Sequence, residues 1–308
     1  MKWTASDIPD LKGKIAIVTG ANSGLGYQES LALARKGAMV ILAVRSREKG
    51  QAASDLIRSE VPGAELVVMK LDLANIESIK HFADSFLEEF ERLDILINNA
   101  GLMAVPLQRT TQGFEMQFGT NHLGHFVLTA LLIDLINQTP ASRIINVSSM
   151  LYKYGKINFN DLNWDKSYSR WTAYGVSKLA NLLFTIELDR RLRLAAKQTL
   201  VAASHPGYSS TNLQTKGAEM EGAKFKKSVM KFSNILLGQS ASMGALPTLY
   251  AATAAAVESS GFYGPDGLGG IHGYPKEVKT DPRLVDPMVA LKLWEASEKM
   301  TGVQFVIR

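Results

Sequence analysis

The chain has 308 residues, no cysteine, 46% hydrophobic and 20% charged residues and 25 glycines, which excludes a disordered, collagenous or disulfide-stapled protein. Its 34 Lys and Arg against 29 Asp and Glu leave a net charge of +5, a mild excess that suits an anionic cofactor or an acidic surface but is too diffuse to argue for nucleic acid. The missing cysteines also rule out a thiolate metal site and a cysteine nucleophile.

The start, MKWTASDIPDLKGK, lacks the apolar core of a secretory signal. The longest apolar stretch, residues 126–136, is interrupted by Asp134 and falls short of the roughly 20 residues that span a membrane. A cytoplasmic protein is therefore expected.

Six β-branched runs, at 14–19, 38–44, 65–71, 94–98, 143–148 and 199–204, read as strands buried on both faces, with helix-length segments between them. Arg35, Lys36 and Gly37 close the first helix, with cations at its negative end and glycine where a left-handed cap is needed. Asn75 is the expected N-cap of the helix that ends near Glu91. This alternation predicts an α/β protein with a doubly wound parallel sheet and helices on both faces. No linker, composition shift or repeat divides it, so one domain is expected over residues 1–308.

Two stretches break the rhythm after strand ends, where open α/β sheets bind ligands. Residues 150–171 form a long polar and aromatic loop; residues 208–238 are rich in lysine, methionine and phenylalanine. The first offers Tyr152, Tyr154, Trp164, Tyr168 and Trp171 as an aromatic wall. The second offers Leu213, Met220, Phe225, Val229, Met230, Phe232, Ile235 and Leu236 as an apolar lid. The same residues equally suit core packing beneath long loops. Lys224, Lys226, Lys227 and Lys231 leave membrane contact through the lid open, although a solvated lysine face serves as well.

The first strand runs into Thr19-Gly20-Ala21-Asn22-Ser23-Gly24-Leu25-Gly26 and then directly into a helix. Glycines at these positions permit a tight turn, close approach to a pyrophosphate and close helix packing, while the helix N-terminus offers free N–H groups. Further on come Asn98-Asn99-Ala100-Gly101, Asn121 in Thr120-Asn121-His122-Leu123-Gly124, the pair Ser148-Ser149, Tyr174-Gly175-Val176-Ser177-Lys178 and His205-Pro206-Gly207. Tyr174 and Lys178 stand one helical turn apart on one face. Alone they would be an ordinary surface pair.

In this order the motifs resemble the short-chain dehydrogenase/reductase family, in the branch with the Thr-Gly-x-x-x-Gly-x-Gly loop. The likeness runs from residue 13 to about 207. The wording TNHLGHF, SKLANLLF and HPG is further similar to retinol-dehydrogenase-like members, including the oxidoreductase domain of the WW-domain-containing oxidoreductase. The resemblance implies a Rossmann fold and hydride transfer between a nicotinamide cofactor and a carbonyl or alcohol, with no metal. It assigns Tyr174 as acid/base, Lys178 as the cation that favours the phenolate and binds the nicotinamide ribose, Ser149 as the residue orienting substrate oxygen, and Asn121 as holder of a relay water. Ser148 is the rival for the serine role, pointing to the opposite face of the strand.

For the cofactor, the resemblance implies contacts from Gly20, Asn22, Ser23, Gly24, Leu25, Gly26, Asp72, Leu73, Asn98, Ala100, Gly101, Pro206, Gly207 and Thr211, besides Tyr174 and Lys178. His205, His122 and His125 read as packing residues. The second strand ends Ala43-Val44-Arg45-Ser46-Arg47, with no carboxylate before Glu48. A guanidinium there can hold a 2′-phosphate bidentately, so Arg45 and Ser46 predict NADP(H). The expected partner is a small, lipophilic carbonyl or alcohol; a homo-oligomer stays open. The rival function is a cofactor-sensing or scaffold protein on the same fold, which loss of Tyr174 or Lys178 would have favoured.

Overall fold

The computed structural model describes residues 2–208 and 239–308. The expected lid beyond Tyr208, with Thr211 and the lysines of residues 224–231, lies outside the described residues. Strands β1 (Ile15–Thr19), β2 (Met39–Val44) and β3 (Leu66–Lys70) alternate with α1 (Gly24–Arg35), α2 (Arg47–Glu60) and α3 (Ile76–Glu89). Then come β4 (Ile95–Asn98), a short α4 (Met116–Phe118), a π-helical turn (Gly119–Leu123) and α5 (Gly124–Gln138). After β5 (Arg143–Val147) and a 3-10 turn (Met150–Tyr154), α6 (Arg170–Leu194) leads into β6 (Leu200–Ser204). The chain continues through α7 (Ala241–Thr253), β7 (Phe262–Pro265), β8 (Pro275–Glu277) and α8 (Pro287–Thr301).

The strands lie in the order β3-β2-β1-β4-β5-β6-β7-β8. All pairs are parallel except β7 with β8, as the Rossmann-type architecture requires. The chain moves outward from β1 to β3 and jumps back to place β4 beside β1. This reversal opens a crevice at the carboxyl ends of β1 and β4, where α/β sheets take ligands.

Strand alternation divides the core between the two faces. Val18, Val40 and Ile97 face one way, onto Leu31 and Leu33 of α1 and Leu249 of α7. Ile17, Ile41 and Leu96 face the other way, onto Phe82, Phe126, Phe184 and the α8 side chain Trp294. The caps form as the sequence predicts: Gly37 takes φ +85° after α1, and the Asn75 side chain accepts the Glu77 N–H at 3.1 Å. Among the described residues no helix is long and apolar enough to cross a membrane.

Candidate active site

The carboxyl ends of β1, β2 and β4 border a cleft of about 660 Å³. Gly20, in the left-handed region at φ +70°, turns the chain out of β1 beneath it. Gly26 closes the turn from behind: a Cβ there would stand 2.6 Å from the Gly20 carbonyl oxygen and 2.7 Å from Asn99 Nδ2. Gly26→Ala should therefore cost about 1–3 kcal/mol of stability, read as a lower melting temperature. An unchanged melt would show that the loop relaxes freely. Ser23 makes no side-chain cap to α1, so the first N–H groups of that helix remain available to an anion.

Gly20, Asn22, Ser23, Gly24 and Leu25 line the cleft, as do Asp72, Leu73, Ala100, Gly101 and Pro206. Arg45 and Ser46 stand at its β2 end, joined by Lys49 from the first turn of α2. Among the described residues Asp72 is the only carboxylate in the lining, and it also caps a turn by accepting the Ala74 N–H at 3.0 Å. A glycine cradle, an uncapped helix start and two cations at the β2 end fit the phosphates of a dinucleotide.

Three expected cofactor residues stand outside the lining. Gly26 sits beneath the loop. Asn98 points into the core, where its Nδ2 donates to Thr129 Oγ1 at 3.1 Å and Asn146 Oδ1 at 2.8 Å; its neighbour Asn99 lines the cleft instead. Gly207, at φ +63°, folds against the Ile271 carbonyl, leaving Pro206 at the wall.

At the cleft floor α6 buries Tyr174 and Lys178 on one face. Lys178 Nζ donates to the Val147 carbonyl at 2.9 Å, and Asn181 Nδ2 donates to the same oxygen at 3.1 Å. The ammonium lies 5.8 Å from the centre of the Tyr174 ring. Burial pushes Lys178 down to about 8 and Tyr174 up to about 12, with a hydrogen bond from Ser149 opposing the rise. The two serines thereby separate. Ser149 meets the phenol and also accepts the Leu151 N–H at 3.2 Å but is not in the lining, whereas Ser148 is in the lining and its Oγ donates to the Lys178 main-chain carbonyl at 2.8 Å.

Asn121 sits on the π-helical turn, a local irregularity often found at functional sites. Its Oδ1 accepts the Leu102 N–H at 2.7 Å, and its Nδ2 donates to the Leu102 carbonyl at 2.9 Å and to Ser177 Oγ at 2.9 Å. This clamps the 99–102 segment beside α6. A Cβ on Gly101 would fall 3.1 Å from Asn121 Oδ1 and 3.5 Å from Lys178 Nζ, so glycine keeps the space between them open.

The expected aromatic wall is absent from the cleft lining: three of its residues pack elsewhere and two are exposed. Tyr152 is buried edge-on against Phe262. Tyr168 pins two loops together, donating to the Val105 carbonyl at 2.8 Å and meeting Gln117 Nε2 at 2.8 Å. Trp164 packs edge-on against Tyr168, and Tyr154 and Trp171 are exposed. The wall beyond Gly101 instead comes from Leu102, Val105, Gln108, Met116 and Thr120. Nothing in the 102–120 sequence announces this, because its residues follow no strand or helix period until Met116.

Sheet order, glycine cradle and buried tyrosine–lysine pair define a dinucleotide-binding oxidoreductase. The chain belongs to the short chain dehydrogenase family, whose model matches residues 14–222. It is similar to human retinol dehydrogenase 14, at 42% identity over 95% of this chain and 88% of that protein. To human retinol dehydrogenase 13 it is 44% identical over 96% of this chain and 86% of that one. A crystal structure of a putative uncharacterized protein from Mycobacterium Paratuberculosis superposes with a TM-score of 0.82, 42% identity and full coverage of both chains. The protein is thus an oxidoreductase of the retinol-dehydrogenase-like kind.

Proposed function

We propose that the protein is an NADP(H)-dependent oxidoreductase interconverting a lipophilic aldehyde or ketone and the corresponding alcohol. The observation that carries this reading is the pair Tyr174 and Lys178 at the floor of a cleft whose β2 end holds cations, with Ser149 hydrogen-bonded to the phenol from outside the lining. The bound nicotinamide supplies or accepts the hydride. Tyr174 then gives a proton to the carbonyl oxygen in reduction, or takes one from the alcohol in oxidation. Ser149 orients that oxygen, Lys178 holds the nicotinamide ribose, and the Asn121 turn carries the relay water. Burial keeps the phenol protonated across the neutral range, the form that gives the proton in reduction.

Arg45 and Lys49 support the choice of phosphate-bearing cofactor, since among the described residues no carboxylate at the β2 end of the lining would accept from a ribose 2′-OH or repel a 2′-phosphate. Leu102, Val105 and Met116 support a lipophilic substrate, and retinoid alcohols and aldehydes enter the panel through the named relatives. One sheet running from β3 to β8 supports reading the chain as one domain.

The test is a panel of aldehydes, ketones and alcohols followed by nicotinamide absorbance with NADPH, NADP, NADH and NAD. Turnover of an apolar carbonyl with NADPH is the expected result; activity with NADH alone would overturn the cofactor assignment. Arg45→Ala should lower the preference for NADPH over NADH by about tenfold or more, the value of a charge-assisted contact. An unchanged ratio of the two dissociation constants would remove Arg45 from the account.

A further inference from the structure

His125, one turn after Asn121 and fully buried, is not among the residues lining the cleft, yet its ring joins two parts of the wall. The Thr19 hydroxyl at the end of β1 receives the backbone N–H groups of Asn99 and Ala100, each at 2.9 Å. Both can only donate, so they use the two acceptor sites of that oxygen. Its single proton faces His125 Nε2 at 3.0 Å and, less closely, the Ile97 carbonyl at 3.3 Å.

On the other side of the ring, His125 Nδ1 lies 3.0 Å from the Asn121 carbonyl oxygen. A carbonyl can only accept, so Nδ1 carries the proton. Burial keeps the imidazole neutral, with the charge of Lys178 a smaller influence in the same direction. Nε2 is then bare and accepts the Thr19 proton, which satisfies every group without conflict.

We propose that His125 is a positioning residue, locked with its proton on Nδ1, that anchors both ends of the 99–102 wall segment. Through Thr19 it fixes Asn99 and Ala100 beside the glycine loop. Through Asn121 it fixes Leu102, whose N–H and C=O are both held by the Asn121 amide. Gly101 and the Lys178 ammonium lie between these anchors. The functional half of this proposal rests on the NADP(H) reading above; the tautomer does not.

The tautomer is tested directly by nitrogen NMR on the full chain with ¹⁵N-labelled histidine at pH 7, the His125 signals being assigned by their loss in His125→Gln. A protonated-type Nδ1 with a bare-type Nε2 is expected. A proton on Nε2, or on both nitrogens, would overturn the assignment whether or not the protein turns over any substrate.

Two variants then separate the anchors. Asn at 125 keeps a donor near the Asn121 carbonyl and loses Thr19, so His125→Asn should raise the NADPH dissociation constant about five- to tenfold with a smaller change in kcat. Gln keeps an acceptor at the distance of Nε2 and loses the Asn121 bond, so His125→Gln should lower kcat by a similar factor with NADPH affinity nearly kept. Wild-type constants in both variants, or equal losses of affinity and kcat in both, would reduce His125 to packing. Failure of the wild-type protein to bind NADPH or NADH would instead sink the cofactor reading and leave the tautomer result standing.

Discussion

Tyr174→Phe should lower turnover of the best carbonyl substrate by about 10²- to 10⁴-fold, the range of a lost general acid, while NADPH affinity stays within a few-fold of wild type. The substitution removes one oxygen from a ring that is 5% exposed and otherwise leaves the α6 face filled. Only the proposed proton donor disappears, and Ser149 loses its phenolic partner. Burial holds the phenol at about 12 in the cofactor-free protein, so the reductive rate should not fall through phenol ionisation between pH 6 and 9. The relevant basic limb belongs to Lys178, held down to about 8 by burial. Above that pH its ammonium is lost, together with the charge beside the proposed ribose site, and NADPH affinity should decline in both wild type and variant. Single-turnover rates and fluorescence titrations between pH 6 and 9 give both quantities. Full turnover in the phenylalanine variant, with NADPH bound, would end the proton-donor role.

The tyrosine–lysine pair stands out through the ordered motifs around it; helix geometry adds only that four residues bring two side chains to one face, which many surface pairs share. Strands β1, β2 and β4 to β6 were legible because burial on both faces demands unbroken β-branched runs; β3 shows such a run too, although at the sheet edge Val67 and Val68 are half-buried and Lys70 is exposed. The opposite held for β7 and β8, which are four and three residues long and contain Gly264, Pro265 and Pro275. Their pairing is set by neighbours distant in sequence, and composition argues against them.

Within the site, Asn98 and Asn99 show the limit of a motif. Adjacent strand residues point to opposite faces, and only the register of β4 against β1 and β5 decides which asparagine meets the cleft. Lys49 could have been found, since Ser46 as N-cap places it in the first turn of α2 near Arg45. The wall from Leu102 to Thr120 depends on tertiary placement of a loop, whereas in 150–171 Tyr168 ties loops together, Tyr152 packs on Phe262, and Tyr154 and Trp171 are exposed.

Glu29→Gln should raise the melting temperature at pH 8 by roughly 5–10 °C while changing it little at pH 5. Glu29 is fully buried on α1, on the side where that helix packs against α7. Among the described residues neither carboxyl oxygen has a well-formed hydrogen bond; burial drives the group up to about 8, and the neighbouring Thr248 hydroxyl opposes this only weakly. Unfolded, the same carboxyl titrates near 4.5. Below that pH both states hold the proton and the group costs nothing. As pH rises towards 8 the unfolded chain ionises while the folded chain stays protonated, so the unfolded state binds fewer protons and stability falls. The loss runs at up to about 1.4 kcal/mol per pH unit and levels off once the folded carboxyl also ionises. A glutamine of nearly the same shape has no such titration. It retains the polar burial, which explains why little gain is expected at pH 5, and removes a penalty on the order of a few kcal/mol at pH 8. For a chain of this size each kcal/mol moves the melting temperature by roughly 2 °C. Thermal melts of both proteins at pH 5, 6.5 and 8 measure the difference. If the gap between them did not widen with pH, Glu29 would have to be charged in the folded protein, held by a partner outside the described residues.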